Sequence, residues 1–452
     1  MKLLAAAVAS ASMTVSAAAA SQQVINSEGT GQVLLYPFYN VENGSNTYVH
    51  VANTTGSSKA VKIRFSEARN GQVALEFNAY LGPYDVFPMA VGSVNGGGAV
   101  LTTDGTCTVP ELGTANGDFS GTQSDLADGS VLMTQPFVPY LYSDDVSNSI
   151  GRTQVGFVEV IEMGEVDSSI DVSKCSEMRA LWSSGAWSTD SSTNVTAPTG
   201  GLAGTSMFIN PSLAYSASIE VTAIDGWAKA ATNYHSGPGT LGTNLDEGVK
   251  KATIWDGDKY VTVDYTSQSK GSAMAMGAAL SASQFSNEVQ IESALAAETD
   301  FVVTQPLAKF YTSSTTATAP YTEAYDATKA ANVACESFKL TQFDRSSGSS
   351  VGSGTFVPTT SNGTAGDLCD AVSVVKFNTN SALMVDGAVS VGFQFQNGQA
   401  RFVSDNAFVA DDNGVTVQGL PVIGFAATRI VNGPMSYGYA AKHKTLTVTS
   451  GT

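Results

Sequence analysis

From residue 31 onward, apolar positions recur mostly at every second residue, in short runs separated by Gly, Asn and Asp turns. The run Val33-Leu34-Leu35-Tyr36-Pro37-Phe38-Tyr39 is followed by the polar turn Glu42-Asn43-Gly44-Ser45 and then by Thr47-Tyr48-Val49-His50-Val51-Ala52. After Asn53-Thr54-Thr55-Gly56 comes Ala60-Val61-Lys62-Ile63-Arg64-Phe65, with Val61, Ile63 and Phe65 on one side and Lys62 and Arg64 on the other. A further run spans 73–80. Period-two alternation between turn residues predicts antiparallel strands with one buried face. Four such strands at short, regular spacing predict a β-sandwich of immunoglobulin-like type. Residues 92–130, rich in Gly, Thr, Asp and Asn, read as a long surface excursion. The segment 154–163 is apolar on nearly both sides and reads as a central strand.

The second half continues in the same style. A short helix is predicted over 176–182, and the Ser-, Thr- and Gly-rich segment 183–201 places a domain boundary near residue 195. The expected fold is therefore mainly β: two β-sandwich (immunoglobulin-like) domains, 21–195 and 196–452, with long loops and one or two short helices. Strands are predicted at 205–209, 215–223, 301–304, 337–343, 373–377, 388–396 and 422–430. A helix is predicted over 287–298, where Asn287 can cap and Gln290 stands three residues on, the spacing of a capping box.

Residues 1–20 change the picture of where the chain resides. Lys2, the apolar run from Leu3 and the small-residue end at Ala17-Ala18-Ala19-Ala20 have the layout of a secretory signal peptide, cleaved between Ala20 and Ser21. Beyond it no run approaches the roughly 18–20 apolar residues of a membrane helix. An exported chain explains the four cysteines, Cys107, Cys175, Cys335 and Cys369, as two disulfides. Three connectivities are possible. Cys107 with Cys175 and Cys335 with Cys369 is favoured, because each pair then lies within one half of the chain.

Composition narrows the partners. Only 14% of residues are charged, against roughly a quarter in ordinary globular proteins, so the surface must be built largely of uncharged polar residues. Forty acidic residues face 22 basic ones, a formal charge of −18. That field repels nucleic acid, whose binding draws on Lys and Arg. The acidic turns Ser143-Asp144-Asp145, Asp256-Gly257-Asp258 and Ala410-Asp411-Asp412-Asn413-Gly414 gather hard oxygen ligands. They make Asp144, Asp145, Asp256, Asp258, Asp411 and Asp412 candidate calcium ligands, beside the plain alternative that Asp, Asn and Gly favour turns for backbone reasons.

Catalytic motifs are weak. Gly348-Ser349-Ser350-Val351-Gly352 has nucleophile-elbow spacing, but it sits in a Gly/Ser loop before a strand-like run, where a hairpin is the better reading. Gly237-Pro238-Gly239-Thr240-Leu241-Gly242 has dinucleotide-loop spacing without the strand before it that a phosphate cradle needs. Of the three histidines, His50 reads as a sheet residue, His235 as a loop residue and His443, between two lysines, as part of a surface basic patch. The chain is not expected to be an enzyme.

Several strand phrases together resemble a known family. Gly31 through Tyr39, the run Asn53-Thr54-Thr55 leading to Ala60 through Phe65, and Phe77 through Val86 look like exported proteins of Gram-negative bacteria. So do Phe157 through Gly164 and Gly419 through Phe425. The chain resembles most the surface-layer (S-layer) protein family of marine gammaproteobacteria. That resemblance implies a structural protein that self-assembles into a two-dimensional lattice at the cell surface, outside the outer membrane, and contributes to biofilm matrix. Its partners would be copies of itself and outer-membrane lipopolysaccharide. Two other readings stand beside it: a porin-like outer-membrane β-barrel, and an adhesive, glycan-binding module using Trp182, Trp187, Trp227 and Trp255 as stacking faces.

Overall fold

The computed structural model of the chain describes residues 22–116, 119–139, 149–239, 242–313, 316–324, 334–346, 350–355 and 367–451. The signal-peptide expectation falls outside these residues, as do Asp144 and Asp145.

The first half forms two open eight-stranded sheets. Their main strands are β1 (Val24–Ile25), β2 (Val33–Asn40), β3 (Asn46–Asn53), β4 (Ser58–Glu67), β5 (Val73–Leu81), β6 (Val86–Val94), β7 (Gly97–Thr102), β8 (Cys107–Val109), β9 (Thr122–Asp125), β10 (Val131–Pro136), β11 (Val155–Val166), β12 (Leu202–Asn210), β13 (Tyr215–Ile219) and β14 (Thr222–Asp225). Sheet one runs β1-β14-β2-β11-β4-β5-β8 and sheet two β9-β10-β7-β6-β3-β12-β13. Alternate residues of both close on one another. Leu34, Tyr36, Val61, Ile63, Phe65, Phe77 and Val160 from sheet one meet Val49, Val51, Phe87, Met89, Val91 and Val100 from sheet two. Pro37, which has no N–H to donate, sits where the β2–β11 register slips between Gly156 and Val158.

The second half adds a hairpin, β15 (Lys251–Trp255) and β16 (Tyr260–Asp264), and two five-stranded sheets. These use β17 (Gln284–Gln290), β18 (Ala297–Thr304), β19 (Lys339–Asp344), β20 (Ser350–Thr355), β21 (Val372–Lys376), β22 (Val389–Ser390), β23 (Asn397–Val403), β24 (Ile423–Asn432), β25 (Met435–Lys442) and β26 (Lys444–Leu446). Their orders are β20-β19-β23-β17-β26 and β22-β21-β18-β24-β25. The halves do not have separate cores. Phe38 and Phe208 from the first pack with Val302, Val374 and Phe425 from the second, and the Thr304 hydroxyl donates to Pro37 O at 2.5 Å.

Among the described residues there are three α-helices: α1 (Cys175–Ser183), α2 (Gly271–Ala279) and α3 (Ala308–Tyr311). The first matches its prediction. All nine residues of α2 are buried, so it has no polar stripe and no helical period to read. The disulfides join Cys107 to Cys175 and Cys335 to Cys369, the favoured pairing.

Several expectations are corrected. The boundary at 195 falls inside the first sandwich, because β12 pairs with β3 and β14 with β2. The predicted helix over 287–298 is instead strand β17, one helical turn at Ser293–Leu295 and the start of β18. The cap residue Asn287 spends its side-chain amide on Ala441 O and Lys442 O, at 2.7 and 3.2 Å, so tertiary bonds override the local capping pattern. The surface excursion 92–130 holds strands, with Gly97 and Gly98 packed so closely on Ile150 and Phe137 that a Cβ would clash. Of the predicted strand 388–396 only β22 forms. The sheets are open, whereas the barrel alternative requires a closed one.

Candidate functional site

The side of β4 that carries Lys62 and Arg64 was expected to face water. It is buried: Lys62 is 0% and Arg64 3% exposed. Register explains how charges survive there. Arg64 stands directly opposite Glu76 on β5 and Glu159 on β11, so three strands place a Glu-Arg-Glu row across sheet one. Arg64 Nε pairs with Glu76, Lys62 Nζ lies 3.3 Å from the same carboxylate, and Lys309 of α3 reaches Glu159 at 2.7 Å. Beside the row, Lys59 meets Glu162 at 2.7 Å, and Glu162 also accepts from the Thr199 and Gly200 amides. Desolvation pushes Lys62 down to about 8, against the pull of Glu76. The loop with dinucleotide-type glycine spacing covers this face, and its carbonyls serve the cations. Gly237 O accepts from Lys62 at 2.9 Å and Gly242 O from Arg64 at 2.7 Å. Such a loop presents oxygen inward, the opposite polarity to a phosphate cradle; Thr240 and Leu241 lie outside the described residues.

The outer face of sheet two is the reverse. One row crosses seven strands as Thr122, Thr134, Leu101, Ala90, Tyr48, Met207 and Ser218, each directly opposite the next. The neighbouring outward positions are His50, Pro88 and Thr205, then Ala52, Val86 and Ala203. None is Lys, Arg, Asp or Glu. Tyr48, Val86 and Met207 are exposed at 41%, 46% and 37%. A second exposed surface lies on β25, where Met435, Tyr437 and Tyr439 project to solvent, with the Tyr439 hydroxyl 3.5 Å from the Glu288 carboxylate, while the other side of the strand, at Gly438, packs on Tyr215.

The histidines fall differently from expectation. His50 is exposed in β3, as read. His235 is buried: its Nδ1 sits 2.6 Å from Ser191 O, so Nε2 accepts from the Tyr80 hydroxyl at 2.9 Å, and Tyr80 accepts from Trp182 Nε1 at 2.7 Å. His443 is only 5% exposed, not in a surface patch; Nε2 donates to Val302 O at 2.9 Å. Burial pushes both imidazoles down to about 4, so both are neutral. Its neighbours Lys442 and Lys444 alternate outward with it along the strand, which is why a basic surface was the natural reading.

The acidic turns do structural work. Asp256 closes the β15–β16 turn by accepting from the Asp258 and Lys259 amides, and it also accepts from the Thr449 hydroxyl at 2.9 Å; those amide bonds hold its carboxyl below the usual range. Asp258 is exposed at the tip. Asp411 is buried, accepting from the amides of Asn413, Val415 and Asp264. Asp412 accepts from Ser267. Asp256–Asp258 and Asp411–Asp412 thus belong to separate turns, and among the described residues no three His, Cys, Asp or Glu side chains converge as metal ligands do. Ser350 begins strand β20, paired with Phe343 in a hairpin with β19.

The tryptophans separate cleanly. Trp187 and Trp227 are buried at 2% and 0%, and Trp182 is half-buried against Trp187 and His235. Trp255 is 52% exposed and, with Tyr260 at 73%, forms a cross-strand pair whose ring centroids lie 5.1 Å apart at 63°. The pair overhangs a groove of about 370 Å³ with Ile254, Leu280, Val422 and His443 among its lining. Sequence singled out Trp255 only as one of four; the hairpin register that pairs it with Tyr260 was the missing signal.

Comparison of the chain with protein families, characterised proteins and solved structures finds no match.

Proposed function

We propose that the protein is an exported structural protein that assembles with copies of itself into a two-dimensional S-layer at the cell surface, outside the outer membrane, and contributes to biofilm matrix. The observation that carries this reading is the uncharged, partly apolar outer face of sheet two. A contact on such a face removes no charge from water, so it avoids the desolvation cost that charged surfaces incur on association. The second exposed surface, on β25, differs from the first in its tyrosines and in the Glu288 carboxylate beside them. Two unlike surfaces that dock head to tail need not close into a ring and can propagate. The resemblance in strand phrases points the same way, and the two disulfides suit an oxidising compartment.

Calcium enters the proposal as the cation that offsets repulsion between chains of formal charge −18. The test is imaging of the purified protein and of the cell surface, with calcium and with a chelator. A periodic array that dissolves on chelation is the expected result. A monomer at all concentrations, with or without calcium, overturns the reading.

A further inference from the structure

The geometry points to a carbohydrate-binding site in the groove beneath Trp255 and Tyr260, with the sugar rings of a polysaccharide as ligand. This inference deepens the proposed cell-surface function by supplying an attachment point, and it rests on that reading only for its biological setting. Two observations carry it. First, two large aromatic rings are held in the open by the β15–β16 hairpin, which is locked through Asp256 to Thr449. Exposed aromatic faces at fixed mutual tilt cost little ordering on binding and offer π surface to the apolar C–H face of a pyranose. Second, the groove of about 370 Å³ lies within the size range of small-ligand sites, roughly 300–1,000 Å³. Its apolar lining is mixed with Ser27, Thr222 and Thr445, hydroxyl groups of the kind that sugar recognition uses.

His443 contributes a wall of the groove and no hydrogen-bonding group: its Nε2–H is committed to Val302 O, and its ring packs against Phe285 and Phe301.

Calorimetric titration of the full chain, kept unassembled in chelator, tests the site. The probes are cellohexaose, chitohexaose, an alginate hexasaccharide, and the lipid-free polysaccharide of outer-membrane lipopolysaccharide. Saturable binding of at least one is expected, and the pattern distinguishes a matrix polysaccharide from a lipopolysaccharide chain as the source. Trp255→Ala and Tyr260→Ala, both at exposed positions, should each weaken binding about tenfold or more with unchanged thermal unfolding, and Trp255→Phe should restore part of it. Failure of all four saccharides to bind at millimolar concentration overturns the inference, as does full binding by the alanine variants. Array formation is scored separately in calcium. Variants that still form arrays but bind no sugar support the site, whereas variants that lose arrays and keep sugar binding identify the pair as a protein contact and overturn it.

Discussion

The outward side of sheet one and the outward side of sheet two are built from the same kind of strand, yet they carry opposite chemistry. Sheet one hides Lys59, Lys62, Arg64, Glu76, Glu159 and Glu162 under loops and α3, while sheet two shows water a surface without a formal charge. This reverses the usual rule that charge faces solvent. Charges placed where the chain itself supplies every partner are fixed once; uncharged strands left in the open remain available to another molecule. A chain with only 14% charged residues has further reduced its solvated charge by enclosing part of it.

The comparison breaks most readily at the buried row. Glu76→Ala leaves Arg64 and Lys62 facing each other without their shared carboxylate and should cost about 3–5 kcal/mol, read as a lower urea midpoint. Replacing Lys62, Arg64 and Glu76 together by Met, Met and Leu should recover most of that loss, since no buried charge is then left without its partner and Glu159 keeps Lys309. Next comes the Cys107–Cys175 disulfide, which ties β8 at the edge of sheet one to α1. Its removal as a double Cys→Ala variant should lower stability by up to about 4 kcal/mol for a separation of 68 residues.

Proton linkage gives the third effect. His235 and His443 titrate near 4 when folded and near 6.5 when unfolded. The unfolded chain therefore binds those protons first, and the stability they contribute is whole above pH 6.5 and lost as pH falls towards 4. The loss is about 3 kcal/mol per histidine at most. Buried Asp300, raised by desolvation from 3.8 to about 6, acts in the opposite sense, favouring the fold at low pH and losing its contribution as pH rises through that window. Asp300→Asn should therefore steepen the acid-side loss, measured as denaturant midpoints across the window. The smallest effect on stability belongs to the exposed face. Tyr48→Lys should change monomer stability by less than about 0.5 kcal/mol and yet abolish array formation by electron microscopy. Unaltered arrays would separate the uncharged face from assembly.

Much of the strand framework was legible because alternation reports one buried face directly. Thus 33–39, 47–52, 60–65 and 73–80 fall within strands, as does 154–163 from residue 155 onward. What alternation cannot report is whether the second face is covered as well. Lys62 and Arg64 look like a solvent face in sequence, and only the distant loop around residues 237–242 and Lys309 close it. Helix α2 was invisible for the converse reason, being apolar on every side. The apparent helix over 287–298 failed because Asn287 is bonded to carbonyls more than 150 residues away. At the groove, Trp255 was visible but its partnership with Tyr260 was not, since it depends on the register of the β15–β16 hairpin.

The Glu-Arg-Glu row has a different meaning in a molecule still being made. Chains emerge N-terminus first, and domains fold as they appear. Glu76, Arg64 and Glu159 are synthesised long before the loop and helix that seal them. In the half-finished protein that side of sheet one is therefore a hydrated, charged exterior, resistant to sticking at the very stage when its neighbours are missing. The ion pairs act first as a temporary coat for the nascent sandwich and become part of its interior only when the second half arrives.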